Sequence, residues 1–143
     1  ATKGNVVEAR LKMDDNDNQV LALCVWMEGR GSGAGTMFAI GCTIINRAKV
    51  WGKSIFDVVY QHNAFSCTLP DDPEHSVRPK DGDAQYEVAK YIAGNLIAGA
   101  DDVTRGALYY SNETNVTSGW YKKHIMTEEH PVTLVEGHLT FRS

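Results

Sequence analysis

The sequence lacks any apolar run approaching the ~18–20 residues needed to span a bilayer, so membrane insertion is not expected. It also lacks a basic excess. Fourteen Lys and Arg stand against eighteen Asp and Glu, a formal net charge of −4. Proteins that sit on nucleic-acid phosphates usually carry a basic stripe, and only short clusters such as Lys122-Lys123 occur here, so no nucleic-acid partner is expected. The same charge argues against simple electrostatic adhesion to an anionic surface, and an acidic polymer must instead be held by shape and hydrogen bonds. Cysteine is scarce. Cys24, Cys42 and Cys67 are an odd number at unpatterned spacing, which excludes a disulfide framework. Cys24 and Cys42 read as small core hydrophobes on helices, and Cys67 follows Phe65-Ser66, near a candidate site. Free thiols suit a reducing compartment.

Several familiar motifs are missing as well. The five histidines form neither H-E-x-x-H nor H-x-x-x-H, and no C-x-x-C occurs, so no metal and no cofactor are expected. The run Gly29-x-Gly31-x-Gly33-x-Gly35 follows a helix rather than a strand. It is not G-x-G-x-x-G and has no Gly-Lys-Ser/Thr, which excludes a nucleotide loop. Gly31-Ser32-Gly33 is only part of a nucleophile elbow, without the strand–turn–helix setting of a serine hydrolase.

What is present describes one globular domain over residues 1–143, with 1–14 a polar N-terminal arm. Hydrophobic residues are 43% and charged residues 22%, close to globular averages, so disorder and coiled coil are excluded for the chain as a whole. No signal peptide is visible from Ala1 onward. Asp15, Asn16 and Asn18 are N-cap candidates for a first helix, in which Val20, Leu21, Cys24, Val25 and Glu28 share a side. Met37, Ile40, Gly41, Ile44, Ile45 and Ala48 repeat at three and four as the buried stripe of a second helix, with Gly41 permitting a close helix approach. Ser54 and Asp57 cap a short third helix through Tyr60. Residues 62–83 read as loop. A fourth helix runs from about Asp83 to about Gly99 with Val88, Ala89, Ile92 and Leu96 inward. Ala107–Tyr110 suits a strand, and Val132–Val135 with His138–Phe141 flank Glu136-Gly137 as a hairpin. Helices first and short strands last give an α+β fold, a helical core with a short C-terminal antiparallel β-sheet.

Glu28 is the most informative residue. A carboxylate on the inner side of a helix has its pKa raised by desolvation, and a neutral acid can then protonate a leaving oxygen. Periodicity alone favours a solvated helix end paired with Arg30 or another cation. Tyr109, Tyr110 and Asn112 lie in one short segment, with Trp120 and Tyr121 downstream, a mixed lining that suits a sugar cleft. In a strand Tyr109 and Tyr110 point to opposite faces, so at most one is core and one cleft.

Taken in order, these segments resemble the SleB-type cell wall hydrolases, the spore-cortex-lytic enzyme family. Leu21 to Arg47 carries Glu28-Gly29-Arg30-Gly31, a glycine-bearing loop and an apolar helix ending in Asn46-Arg47. Val58–Thr68 resembles the family's aromatic-Ser/Thr segment, Gly106–Asn112 its Ala-Leu-Tyr-Tyr-x-Asn strand, and Trp120 with Gly137-His138-x-x-Phe141 its end. Ser32 stands where the family often has a second Glu, and Cys67 where it often has Trp or an apolar residue. The resemblance implies a lysozyme-like fold and an enzyme that cuts peptidoglycan glycan strands, with Glu28 as its catalytic acid/base. Ser66, Tyr109, Tyr110 and Asn112 would bind the substrate.

Classical glycosidases use two carboxylates. None shares a motif with Glu28, and Asp57, Asp71 and Asp72 lack a distinguishing context. One Glu suffices for a lytic transglycosylase that leaves 1,6-anhydromuramoyl ends. The alternatives are a non-catalytic peptidoglycan-binding module and a metal-dependent amidase. The expected partner is peptidoglycan and the expected state a monomer. Two contexts fit: a phage endolysin passing from host cytoplasm to periplasm and wall, or a bacterial enzyme secreted to the wall.

Overall fold

The computed structural model describes residues 16–61 and 77–143. The expected N-terminal arm, most of the loop from residue 62, and Ser66, Cys67, Asp71 and Asp72 lie outside the described residues. The elements are α1 (Asp17–Gly29), α2 (Ala34–Trp51), α3 (Ile55–Val59), α4 (Ala84–Ile97), β1 (Tyr109–Ser111), α5 (Gly119–His124), β2 (Val132–Glu136) and β3 (Leu139–Arg142).

Helices α1 and α2 form the centre. Both are buried over most of their circumference, beyond the single stripe that their spacing predicts, because α3 and α4 pack around them. Gly41 sits where three helices meet. A Cβ there would lie 2.5 Å from Leu96 Cδ1 and 3.4 Å from Val25 Cγ2, so the expected close approach is real. Cys24 and Cys42 are buried core residues, and burial pushes the Cys42 thiol up to about 11, which keeps it neutral.

The expected Ser54 cap is made, and Asp83, the expected start of the fourth helix, caps it. Ser54 accepts from the Asp57 N–H and Asp83 from the Tyr86 N–H. Val88, expected inward, is instead exposed. The buried stripe of α4 runs through Ala89, Ile92, Ala93 and Leu96, and a residue one position off a stripe is turned by about 100°.

The strands form one antiparallel sheet in the order β1-β3-β2, with Tyr110 opposite Phe141 and Glu136 opposite Leu139. The hairpin turn is therefore Gly137-His138, one residue later than expected. Gly137 at the first turn position has φ +60°, the type II′ pattern that matches strand twist. Helix α5 was not expected from the sequence. Ser118 caps it by accepting from the Tyr121 N–H, but none of its residues is buried, so it leaves no apolar period to read. No helix among the described residues is long and apolar enough to cross a membrane.

Candidate active site

Glu28 lies in the last turn of α1, half-buried, on a helix anchored by Leu21, Cys24 and Val25. The next residue, Gly29, is pressed against α2. A Cβ on it would lie 2.6 Å from Met37 Cγ and 3.2 Å from Met37 Cα, so any side chain here displaces the end of the helix. Beyond Gly29 the expected helix break is present, with Ser32 exposed in the turn before α2.

Strand β1 brings Tyr110 to Glu28. Its hydroxyl donates to Glu28 Oε1 at 2.9 Å, and its ring packs at 5.5 Å between centroids on the fully buried Phe141. Burial, and then the negative charge of Glu28, hold the Tyr110 phenol well above its ordinary pKa. It therefore stays neutral and remains a donor.

Tyr109 makes different contacts. Its ring meets His130 edge-on at 5.0 Å, and the Arg47 guanidinium lies 5.9 Å from its centroid.

Asn46 and Arg47, at the end of α2, hold the chain that leads into β1. Asn46 Nδ2 lies within bonding distance of Asp102 Oδ2 (2.8 Å), the Ala107 carbonyl (3.0 Å) and Thr104 Oγ1 (3.3 Å). Arg47 donates through Nε to the Leu108 carbonyl at 2.6 Å, and its guanidinium lies 5.5 Å from the Trp51 ring centroid. Burial lowers the Arg47 pKa from its ordinary value. Asp102 in turn accepts from the Thr104 N–H and hydroxyl and from the Gly106 N–H. The Asn-Arg pair was visible as a motif, but this clamp joins residues about sixty positions apart, which no local pattern encodes.

An open cleft of about 770 Å³ adjoins these residues. Tyr109, Tyr110, Ser111 and Asn112 line it, together with Trp51 of α2 and Trp120 and Tyr121 of α5. Both tyrosines reach the cleft, and only Tyr110 also packs on the core, so the expected division of core from cleft holds for Tyr109 while Tyr110 serves both. Asn112 accepts the Thr114 hydroxyl at 2.8 Å. Asp57 is exposed on the first turn of α3. Among the described residues no three His, Cys, Asp or Glu side chains gather as metal ligands do.

The profile of the Cell Wall Hydrolase family matches residues 31–138. The chain belongs to the cell wall hydrolase family. Glu28 lies just upstream of the matched stretch. Two solved structures are similar over almost their whole length. The catalytic domain of the germination-specific lytic transglycosylase SleB from Bacillus anthracis is 26% identical with a TM-score of 0.69, covering 92% of this chain and 97% of that one. The catalytic domain of the Bacillus cereus SleB protein is 25% identical with a TM-score of 0.70, covering 95% and 96%. No curated protein matches the chain. The expected α+β, lysozyme-like fold is borne out, and the family makes this an enzyme of the cell wall.

Proposed function

We propose that the protein is a lytic transglycosylase that cuts peptidoglycan glycan strands with Glu28 as its one acid/base. The observation that carries this is the Tyr110–Glu28 bond at the edge of an aromatic and amide-lined cleft. It engages Oε1 of Glu28 with a donor that stays neutral. Protonated Glu28 gives its proton to the glycosidic oxygen, the C1–O bond breaks, and positive charge develops at C1 of the muramoyl sugar. The resulting carboxylate then takes the proton of that sugar's 6-hydroxyl as its oxygen bonds to C1. The product is a 1,6-anhydro ring, no water is consumed, and Glu28 is again protonated. The similar Bacillus anthracis domain, a lytic transglycosylase by name, supports this reaction. Tyr109 and Asn112, as cleft lining, are assigned to holding the sugar, and Ser66 is assigned the same role on sequence grounds alone. The working unit is a monomer that acts at the wall and binds no nucleic acid.

The deciding experiment is mass spectrometry of digested peptidoglycan. Anhydromuramoyl ends are expected. Reducing-end muramic acid in their place makes the enzyme a hydrolase, and free peptides with uncut glycan reject both forms.

Tyr110→Phe isolates the positioning bond. A hydrogen bond of about 1–1.5 kcal/mol corresponds to roughly a tenfold loss in kcat, with KM little changed. A loss carried by KM alone would show that Tyr110 touches only substrate.

A further inference from the structure

One wall of the cleft is α5 with the turn leading into it. This helix buries no residue, so it adds little to the core. Its Trp120 is 62% exposed and lines the cleft. A large ring kept in water on a cleft wall does not pack the interior, and there it offers its face to whatever occupies the cleft. Beside it in the lining are the hydroxyls and amides of Ser111, Asn115, Thr117 and Ser118. A ring face next to hydroxyls and amides complements a pyranose, whose C–H face stacks while its hydroxyl and acetamido groups hydrogen-bond. Glu28 does not itself line this space and meets it through Tyr110. At about 770 Å³ the cleft lies in the upper half of the range of about 300–1,000 Å³ for small-ligand sites.

We propose that Trp120 forms a further sugar subsite, which takes an N-acetylhexosamine unit of the same glycan strand away from the bond being cut. This rests on the cleft being the glycan-cleaving site. The enzyme then selects long strands over short ones. Lys122 and Lys123, exposed in the last turn of α5, offer the competing occupant, a carboxylate of the peptide stem.

The test uses stem-free octasaccharide and tetrasaccharide strands, and a stem-bearing octasaccharide beside them, with wild type, Trp120→Ala and Trp120→Phe. Wild type should have the higher kcat/KM on the octasaccharide. Trp120→Ala should lower that value roughly tenfold through KM, toward the tetrasaccharide's, and the Phe variant should restore most of it. A tenfold change is about 1.4 kcal/mol. The same tenfold should appear in the octasaccharide Kd of Glu28→Gln with and without Trp120→Ala, a measurement that needs no turnover. Equal loss on both lengths, or no loss, overturns the subsite. A loss confined to stem-bearing strands also overturns it and assigns α5 to the peptide. A digest without anhydro ends rejects the reaction assigned to Glu28 but leaves the length discrimination standing.

Discussion

Glu28→Gln should fold as the wild type does and clear cell walls roughly 10³-fold more slowly, within the 10²–10⁴ range for loss of one acid–base group. Glutamine keeps the shape of the side chain and an oxygen that accepts the Tyr110 hydroxyl, so the contact to β1 survives. What is lost is the proton that must reach the glycosidic oxygen and the base that must later remove another. Wall-clearing rates beside circular-dichroism melts separate the two effects. Near-wild-type clearing by a folded Gln variant would remove Glu28 from the chemistry. A family enzyme with a second competent carboxylate would give that result, and Asp57 is exposed on a different helix.

The largest stability effect is expected at Asp102. Asp102→Ala removes the acceptor for the Asn46 amide, the Thr104 N–H and hydroxyl, and the Gly106 N–H, while Thr104 is fully buried. Bonds to charged groups contribute about 1.5–3 kcal/mol each and do not add simply, so a loss of about 3 kcal/mol is expected. For a chain of this size that lowers Tm by roughly 10 °C.

The effect should depend on pH. Burial pushes the Asp102 pKa up, but the bonds from Thr104, Asn46 and Gly106 outweigh it and hold the carboxyl below its ordinary value. A depressed folded pKa means stability that is present above the unfolded value, near 4, and is lost as pH falls through the folded one. The Tm gap between wild type and variant should therefore narrow below about pH 4. A gap unchanged at acid pH would show that Asp102 acts through its shape and not its charge.

The four long or capped helices were legible because they bury apolar stripes or carry a Ser or Asp cap, as at Ser54 and Asp83. Helix α5 was not, because a helix of six residues with nothing buried has only its Ser118 cap to announce it. Glu28 stood out as a charge on an apolar side, and β1 as a run of aromatics. Their meeting across 82 residues was beyond local pattern, as was the Asn46–Asp102 clamp that sets β1 in place. Such contacts are made by topology, which short-range periodicity does not carry.

The contact at Gly29 bears on how the acid works. With Gly29 packed too closely against Met37 to admit a side chain, the end of α1 that carries Glu28 is held against α2. The Tyr110 hydroxyl meets the carboxylate from the sheet side. The loss of freedom needed to aim the proton donor is thereby borne once, when the chain folds, and is not charged again to each encounter with a strand. Pre-aligned groups of this kind lower the barrier by sparing orientational entropy at the moment of reaction. Substrate binding need then order only the sugar.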